Sequence, residues 1–381
     1  MSFKRVTGSL IILIGLLAMD FALANGPRGG LRSALSVLSP RFKVNPVEEI
    51  DVSNYYEGLI NEGGKAVHSG VLTNLWLFNG RDFLAADVRL MDQRSGYPFA
   101  DPEYAPNRRV NSPAGPLSTN AFGMVDREYS LEKPPGTRRI MLFGDSLGRA
   151  MGVPQGKGLE PRLEDWLNDV SGGATGRRVE ILNFSTSGHR AVRALDYAIR
   201  RAPGFSPDVF VLELGRRNLP PGWASDIVPF GRNEVVPPYP FIRDLIERAG
   251  VTRDDSRKVA LDKLDAIFDV GMRRVLTEFK AASVAQGVEP LVLLLPTVEH
   301  PRIQSPKFDP LRSILKDLGL LVIDLVDAFR DVPDPGRLGI DFGDPHPNEE
   351  GQTILFARLK ELLDRQPEIL TALLGNRPSR H

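Results

Sequence analysis

A serine, a histidine and two neighbouring aspartates are the residues of this sequence best suited to nucleophilic and acid–base chemistry. Ser146 follows Gly144-Asp145 at the end of an apolar run. His346 lies far along the chain, with Asp344 two residues and Asp341 five residues before it. A histidine can remove the serine proton, and a carboxylate can orient the imidazole. These residues could carry out acyl transfer, although Ser146 alone could equally be a helix N-cap.

Two further residues could stabilise the oxyanion that forms during acyl transfer. Gly188 offers a backbone N–H without a blocking side chain, and Asn218 offers an amide. Each also has a structural interpretation: Gly188 could end a strand, and Asn218 could be a turn residue. His346 could likewise mark the entry to a helix capped by Asn348. The joint occurrence of these residues with Ser146 favours a catalytic site.

Five short apolar runs are the predicted strands that position these residues. They are Ile140–Phe143, Val179–Asn183, Val209–Leu214, Pro290–Leu295 and Leu320–Leu325. Segments with helical spacing alternate with them: Leu159–Val170, Val192–Arg201, Val259–Gln286, Leu311–Leu318 and Asn348 to about Arg365. This alternation predicts an α/β fold with a doubly wound, mostly parallel five-stranded sheet flanked by helices. Such a sheet collects the candidate residues at the edge formed by the strand carboxyl ends.

The sequence resembles the SGNH/GDSL hydrolase family, in its exported or membrane-anchored bacterial form. Its first block matches Gly144-Asp145-Ser146, and its second matches Gly188. The third block matches Gly215 with Asn218, and the fifth matches His346-Pro347-Asn348. The resemblance implies that Ser146 is the nucleophile and His346 the general base. It also implies an oxyanion hole formed by the backbone N–H groups of Ser146 and Gly188 and the side chain of Asn218.

Two departures from the family pattern affect these assignments. The third block is usually Gly-x-Asn-Asp, whereas this chain has Gly215-Arg216-Arg217-Asn218, so Asn218 comes one place late. The fifth block usually has an aspartate three residues before the histidine, where this chain has Gly343. The family pattern therefore does not identify the acid that orients His346, and it supports the role of Asn218 less directly than that of Ser146.

Asp344 is expected to orient His346, with Asp341 as the alternative. Pro345 favours an extended backbone at Asp344, and residues two apart in an extended segment point to the same face. Asp341 could serve only if the intervening Phe342-Gly343 segment folds back. The arrangement Asp-x-His also resembles that of SGNH proteins of alginate O-acetylation.

Several basic residues lie within three positions of these blocks. They could be ordinary surface charges. If they face the cleft, they favour an anionic substrate such as an acidic polysaccharide or a phosphorylated lipid. On that hypothesis the substrate-binding residues are Arg149, His189, Arg216 and Arg217, and Arg190 belongs to the same basic set.

Composition excludes several other classes of function. The 381 residues include 48 basic and 48 acidic side chains, so no net charge points to nucleic acid as a partner. Cysteine is absent, which excludes thiol catalysis, cysteine-bound metals and disulfides. The remaining histidines show no metal-ligand spacing, and neither a metal nor a cofactor is expected.

The chain is predicted to have four parts. Residues 1–24 are a signal peptide or a membrane anchor, because Lys4 and Arg5 precede an uncharged run within residues 6–24. Either form places the rest of the chain in the periplasm or outside the cell. An N-terminal extension (25–135) is expected to pack on the catalytic domain (136–370), which a tail (371–381) follows. The proline-rich connection 220–256 is expected to be functional or a lid.

Three functions are compatible with this sequence. The first is a serine esterase acting on an O-acyl ester, such as an acylated glycan or lipid. The second is an O-acyltransferase acting on an extracellular polysaccharide, in which a sugar hydroxyl outcompetes water at the acyl-enzyme. The third is a non-catalytic binding or scaffold protein that keeps the fold, which the altered third and fifth blocks would suit.

Overall fold

The computed structural model describes residues 80–92, 103–175, 178–233, 236–341 and 344–375. Its first elements are helix α1 (Gly80–Leu90) and two short antiparallel strand pairs. The pairs are β1 (Met91–Asp92) with β2 (Glu103–Tyr104), and β3 (Arg109–Ser112) with β4 (Gly115–Ser118). The predicted leader, residues 1–24, lies outside the described residues, as does much of the extension. None of the helices in the described ranges is both long and apolar enough to cross a membrane.

A five-stranded parallel sheet forms the centre of the fold, with strand order β6-β5-β7-β8-β9. Its strands are β5 (Thr137–Phe143), β6 (Arg178–Asn183), β7 (Val209–Leu214), β8 (Glu289–Leu294) and β9 (Leu321–Asp324). Each strand lies within three residues of its predicted bounds. The predicted sheet is therefore confirmed.

Helices cover both faces of this sheet. One layer contains α3 (Ala191–Arg200), α7 (Phe268–Ala285) and α9 (Asp309–Asp317), and the other contains α2 (Leu159–Thr175), α10 (Glu349–Arg365) and α11 (Pro367–Leu374). Within β5, Met141 and Phe143 pack into the first layer, whereas Ile140 and Leu142 pack into the second. Successive strand residues point to opposite faces, so a sheet covered on both sides needs a continuous apolar run. The doubly wound arrangement is confirmed.

The connection 220–256, expected to be functional or a lid, contains regular structure. It contains helices α4 (Val228–Asn233) and α5 (Pro240–Ala249), and Trp223 and Phe241 within it are buried in the first core layer. Pro240 lies in the first turn of α5, where a missing N–H does no harm, so a residue that resembles a breaker begins a helix. The connection is therefore part of the core.

Two other boundaries differ from the prediction. The segment expected as one helix, 259–286, is divided into α6 (Arg257–Asp265) and α7, of which α6 packs against α4 and α5 while α7 packs against the sheet. At the other end of the chain, α11 continues the folded part to Leu374, beyond the predicted boundary at 370. Its Leu373 is fully buried in the second layer, so residues 371–374 belong to the folded part, and residues 376–381 lie outside the described residues. The short helix α8 (Pro301–Gln304) precedes α9.

Candidate active site

Ser146 lies in the tight turn that follows β5. The backbone N–H of Arg149 donates to the Asp145 carbonyl at 3.1 Å, and that of Met151 donates to the Ser146 carbonyl at 2.9 Å. The side chain of Asp145 accepts from the Leu147 N–H at 2.7 Å. Asp145 therefore stabilises this turn, and no regular helix begins before α2. The helix N-cap interpretation of Ser146 does not fit this geometry.

The Ser146 hydroxyl belongs to a buried chain of three side chains. Its Oγ lies 2.7 Å from Nε2 of His346. On the other side of the ring, Nδ1 lies 2.6 Å from Oδ1 of Asp344. The same carboxylate oxygen accepts from the backbone N–H of His346 at 2.9 Å. These distances suit proton transfer from the serine to the imidazole.

The electrostatic surroundings of Asp344 determine the protonation of the Asp344 carboxyl and of the His346 ring. Burial works to raise the pKa of Asp344, but the His346 charge and two hydrogen bonds from His346, with a contribution from Arg217, hold that pKa below its usual value. Asp344 is therefore ionised at neutral pH. An ionised carboxylate can only accept, so Nδ1 carries the ring proton and Nε2 is left to receive the proton of Ser146.

The backbone shows why Asp344 makes this contact. The N–H of Asp344 donates to the carbonyl of Asp341 at 3.2 Å, and the N–H of Ile340 donates to the carbonyl of His346 at 3.0 Å. These bonds form a loop that presents the Asp344 carboxylate to the ring, with Pro345 between the two residues. The carboxylate favoured in the sequence analysis is the one hydrogen-bonded to the ring in the structure.

The two expected oxyanion donors beyond Ser146 lie in neighbouring loops. Gly188 has φ of +91°, a left-handed conformation that glycine adopts without strain. Asn218 is buried in the 3₁₀ turn that follows β7, and its Oδ1 accepts from the backbone N–H of Ala191 at 2.8 Å. This bond joins the third block to the second. It also leaves the amide N–H₂ of Asn218 as its donor end.

Asn218→Ala is expected to lower kcat about 10²- to 10³-fold with a small change in KM, because an oxyanion donor acts mainly in the transition state. Steady-state kinetics on a short-chain aryl ester checks this. Asn168→Ala is the matched control, because the Asn168 amide bonds the backbone N–H and carbonyl of Val179, far from the third block in the sequence. Loss of stability without loss of kcat is expected for the control. Equal kcat losses in both variants would contradict the role of Asn218.

Glu213 is a further residue of this site that lies outside the sequence motifs. It lies in the otherwise apolar strand β7, is almost fully buried, and accepts from the backbone N–H of Asp145 at 2.8 Å. A side chain on Gly144 would collide with the Glu213 carboxyl, and a Cβ on Gly215 would lie 3.1 Å from Oε1. Gly144 therefore makes room for Glu213, whereas a Cβ on Gly215 would first meet the Leu147 side chain, at 2.6 Å. A lone carboxylate in a buried strand was the available sequence signal.

Glu213 and Asp145 form a carboxyl pair beneath the Ser146 turn. Burial raises the pKa of Glu213 well above its usual range, and the charge of Asp145 adds to that shift. Oε1 of Glu213 and Oδ2 of Asp145 are both buried, and neither makes a hydrogen bond to the described residues. A proton on Glu213 removes the repulsion between the two carboxyls and lets the neutral acid donate to Asp145. A neutral Glu213 thus holds the turn that carries the nucleophile.

Glu213→Gln is expected to keep kcat within about fivefold, because glutamine can donate to Asp145 as the neutral acid does. Glu213→Leu is expected to lower kcat about 10²-fold, the scale of a small displacement of reacting groups. Thermal unfolding gives a second measurement. A raised folded-state pKa means that wild type loses stability as the pH rises above the ordinary value of 4.5, and the glutamine variant lacks this contribution. Equal activity of the two variants would contradict the role of Glu213.

The basic residues predicted to bind substrate differ in burial and in their protein contacts. The Arg149 side chain is 3% exposed and lies 2.8 Å from Asp87. The ring of His189 is also buried and packs edge-on against Tyr197. These two side chains are held by protein contacts. Arg216 and Arg217 are half-buried, and the charge of Arg217 contributes to lowering the pKa of Asp344.

The predicted Arg190 likewise has a protein partner. Its guanidinium lies 3.6 Å from the carboxylate of Asp226, and both side chains are buried. Sequence proximity to the blocks therefore does not place these cations in the cleft. Of the basic set, Arg216 and Arg217 are only half-buried, but Nη2 of Arg217 is buried and Nη1 of Arg216 donates to the Pro220 carbonyl at 3.5 Å.

No family model and no curated protein matches this chain. Among solved structures, it is similar to the psychrotrophic esterase EstA from Pseudoalteromonas sp., with 17% identity and a TM-score of 0.39 over 61% of this chain and 99% of that one. It is similar to TesA, with 15% identity and a TM-score of 0.38, and the match covers 60% of this chain and 99% of that one. It is also similar to a catalytic mutant of Axe2, an acetylxylan esterase from Geobacillus stearothermophilus. The identity is 15% and the TM-score 0.39, and the match covers 64% of this chain and 97% of that one.

The fold and the site together have the arrangement of a serine hydrolase. A parallel five-stranded sheet covered by helices carries a Ser–His–Asp chain at the carboxyl ends of its strands. This is the arrangement implied by the resemblance to SGNH/GDSL hydrolases, and that resemblance fits the observed structure.

Proposed function

We propose that this chain is a serine esterase that cleaves an O-acyl ester through an acyl-Ser146 intermediate. The observation that carries the proposal is the 2.7 Å contact between the Ser146 hydroxyl and His346, with Asp344 behind the ring. His346 takes the serine proton as Oγ bonds to the ester carbonyl carbon, and it returns that proton to the departing alcohol. In the second half, His346 takes a proton from water as the water oxygen attacks the acyl carbon. It then donates that proton to Oγ of Ser146 as the acyl–Oγ bond breaks and the free acid leaves.

The oxyanion of each tetrahedral intermediate would be held by three donors: the backbone N–H groups of Ser146 and Gly188, and the amide of Asn218. Donors fixed in a buried site stabilise developing charge without reorganising. Support for this assignment comes from the buried, oriented Asn218 and from the left-handed glycine at 188. No step of this mechanism requires a metal or a cofactor.

The test is turnover of aryl esters of increasing acyl length by the full-length chain, with a fluorophosphonate-inactivated sample as the blank. We expect Ser146-dependent release of both the alcohol and the free acid. Transfer of the acyl group to an added polysaccharide, with little free acid, would instead identify an O-acyltransferase. Absence of turnover across the series in folded protein would contradict the esterase and favour a non-catalytic role.

We also propose that the chain acts outside the cytoplasm on an acylated glycan or lipid. Lys4 and Arg5 ahead of the uncharged run in residues 6–24 support export, by cleavage or by anchoring. Cell fractionation checks this: the chain is expected in the periplasm, the medium or the membrane. Recovery of active full-length chain only from the cytoplasm would contradict it.

A further inference from the structure

A carboxylate from outside the catalytic sheet holds two loops of the proposed active site. Asp87 lies on α1 in the N-terminal extension, and its side chain is 0% exposed. Its Oδ2 accepts from the hydroxyls of Ser187 and of Tyr104, the latter at 3.1 Å. Its Oδ1 lies 2.8 Å from Nη2 of Arg149. One buried carboxylate therefore contacts three groups from separate parts of the chain.

Two of these contacts reach residues next to proposed catalytic groups. Ser187 immediately precedes Gly188, and its backbone N–H donates to the Tyr104 hydroxyl at 3.2 Å. Arg149 follows Ser146 by three residues, and its backbone N–H closes the nucleophile turn onto Asp145. The hydroxyls of Ser187 and Tyr104 both donate to Asp87. The Tyr104 oxygen can therefore also accept from the backbone N–H of Ser187.

The charge of Asp87 makes these contacts difficult to replace. Burial raises the pKa of Tyr104, and the Asp87 charge adds to this, so the phenol stays a neutral donor. Hydrogen bonds to an ionised group are stronger than neutral ones. An asparagine at this position has one acceptor oxygen and one donor N–H₂ and no charge, so it cannot accept from the hydroxyls and also present a negative oxygen to Arg149. Removal of the carboxylate also leaves Arg149 buried without its counter-charge.

We propose that Asp87 is a positioning residue for the proposed esterase, and that α1 is thereby an integral part of the active site. By fixing Ser187, it holds the backbone N–H of Gly188 toward the oxyanion, and by fixing Arg149 it holds the Ser146 turn. This inference rests on the proposed function. It assigns to the extension a role in turnover that the catalytic sheet alone does not supply.

The test compares full-length wild type, Asp87→Asn and Asp208→Asn. Asp208 is a matched control, because it also pairs with a cation, Lys133 at 2.9 Å, and accepts from a backbone N–H, but at the amino end of β7. For Asp87→Asn we expect kcat to fall about 10- to 100-fold, less than for complete loss of an oxyanion donor, with KM within about threefold. Labelling of Ser146 by a fluorophosphonate should slow in parallel. Asp208→Asn is expected to lose stability but keep kcat.

A wild-type kcat in folded Asp87→Asn, or a loss confined to KM, would overturn the inference. If Asp87→Asn does not fold, Ser187→Ala removes the loop contact while leaving the ion pair to Arg149, and an unchanged kcat there would overturn it equally. The two proposals fail separately. Full activity of Ser146→Ala removes the esterase and this role with it, whereas an inactive Ser146→Ala beside a normal Asp87→Asn removes the positioning role alone.

Discussion

Ser146→Ala is expected to lower ester turnover about 10⁶-fold, the loss typical when the nucleophile of a serine hydrolase is removed. Alanine has no hydroxyl to attack the ester carbonyl, and His346 then has no serine proton to accept. Residual turnover would come from the oxyanion donors and from substrate binding, which still act when the nucleophile is absent. The measurement is kcat for a short-chain aryl ester with purified full-length protein.

Ser283→Ala is the control for this experiment. Ser283 is a fully buried serine of α7 whose hydroxyl donates to the carbonyl of Phe279 at 2.7 Å, within its own helix. Loss of that hydroxyl changes a buried hydrogen bond without touching the Ser–His–Asp chain, so kcat should stay near wild type. Turnover of Ser146→Ala within tenfold of wild type would contradict the role of Ser146.

Asp344→Asn is expected to lower kcat about 10⁴-fold, while Asp341→Asn stays within about threefold. The amide introduced by Asp344→Asn would turn a donor toward Nδ1 or present a weaker, neutral acceptor, and the imidazolium formed during catalysis would lose its counter-charge. Because the pKa of Asp344 is held below its usual value, the wild-type carboxylate is ionised throughout the neutral range. The comparison therefore belongs at about neutral pH, where the charge is fully present.

Both variants should be checked for folding by circular dichroism, since Asp344 also accepts from the backbone N–H of His346. A large loss confined to Asp341→Asn would reverse the assignment of the orienting acid. Equal small losses in both variants would show that neither carboxylate orients His346 during turnover.

Local patterns in the chain predict the sheet, and together with the family resemblance they predict the pairing of Ser146 with His346. β5 and β7 contain continuous apolar runs, which a sheet buried on both faces requires. Asp344 and His346 are two residues apart, so their contact depends on backbone conformation over a single short segment. Ser146 and His346 are 200 residues apart, but one follows a strand and the other precedes a helix at the same edge of the sheet.

Contacts between distant segments explain what the sequence did not predict. Glu213 meets Asp145 across 68 residues, and Asp87 meets Ser187 across 100, so neither pairing leaves a local signature. Arg149 was assigned to the substrate because it lies close to Ser146 in sequence. The direction in which its side chain points depends on Asp87, a residue in another part of the chain.

Mass spectrometry of the full-length chain after reaction with a fluorophosphonate asks whether Ser146 is an activated nucleophile. Such a reagent forms a stable adduct with a serine that is activated by a neighbouring base. We expect one adduct, located by peptide mapping at Ser146, that is absent from Ser146→Ala and forms much more slowly in His346→Ala. An unmodified chain, or an adduct on a different residue that persists in Ser146→Ala, would contradict the proposed mechanism.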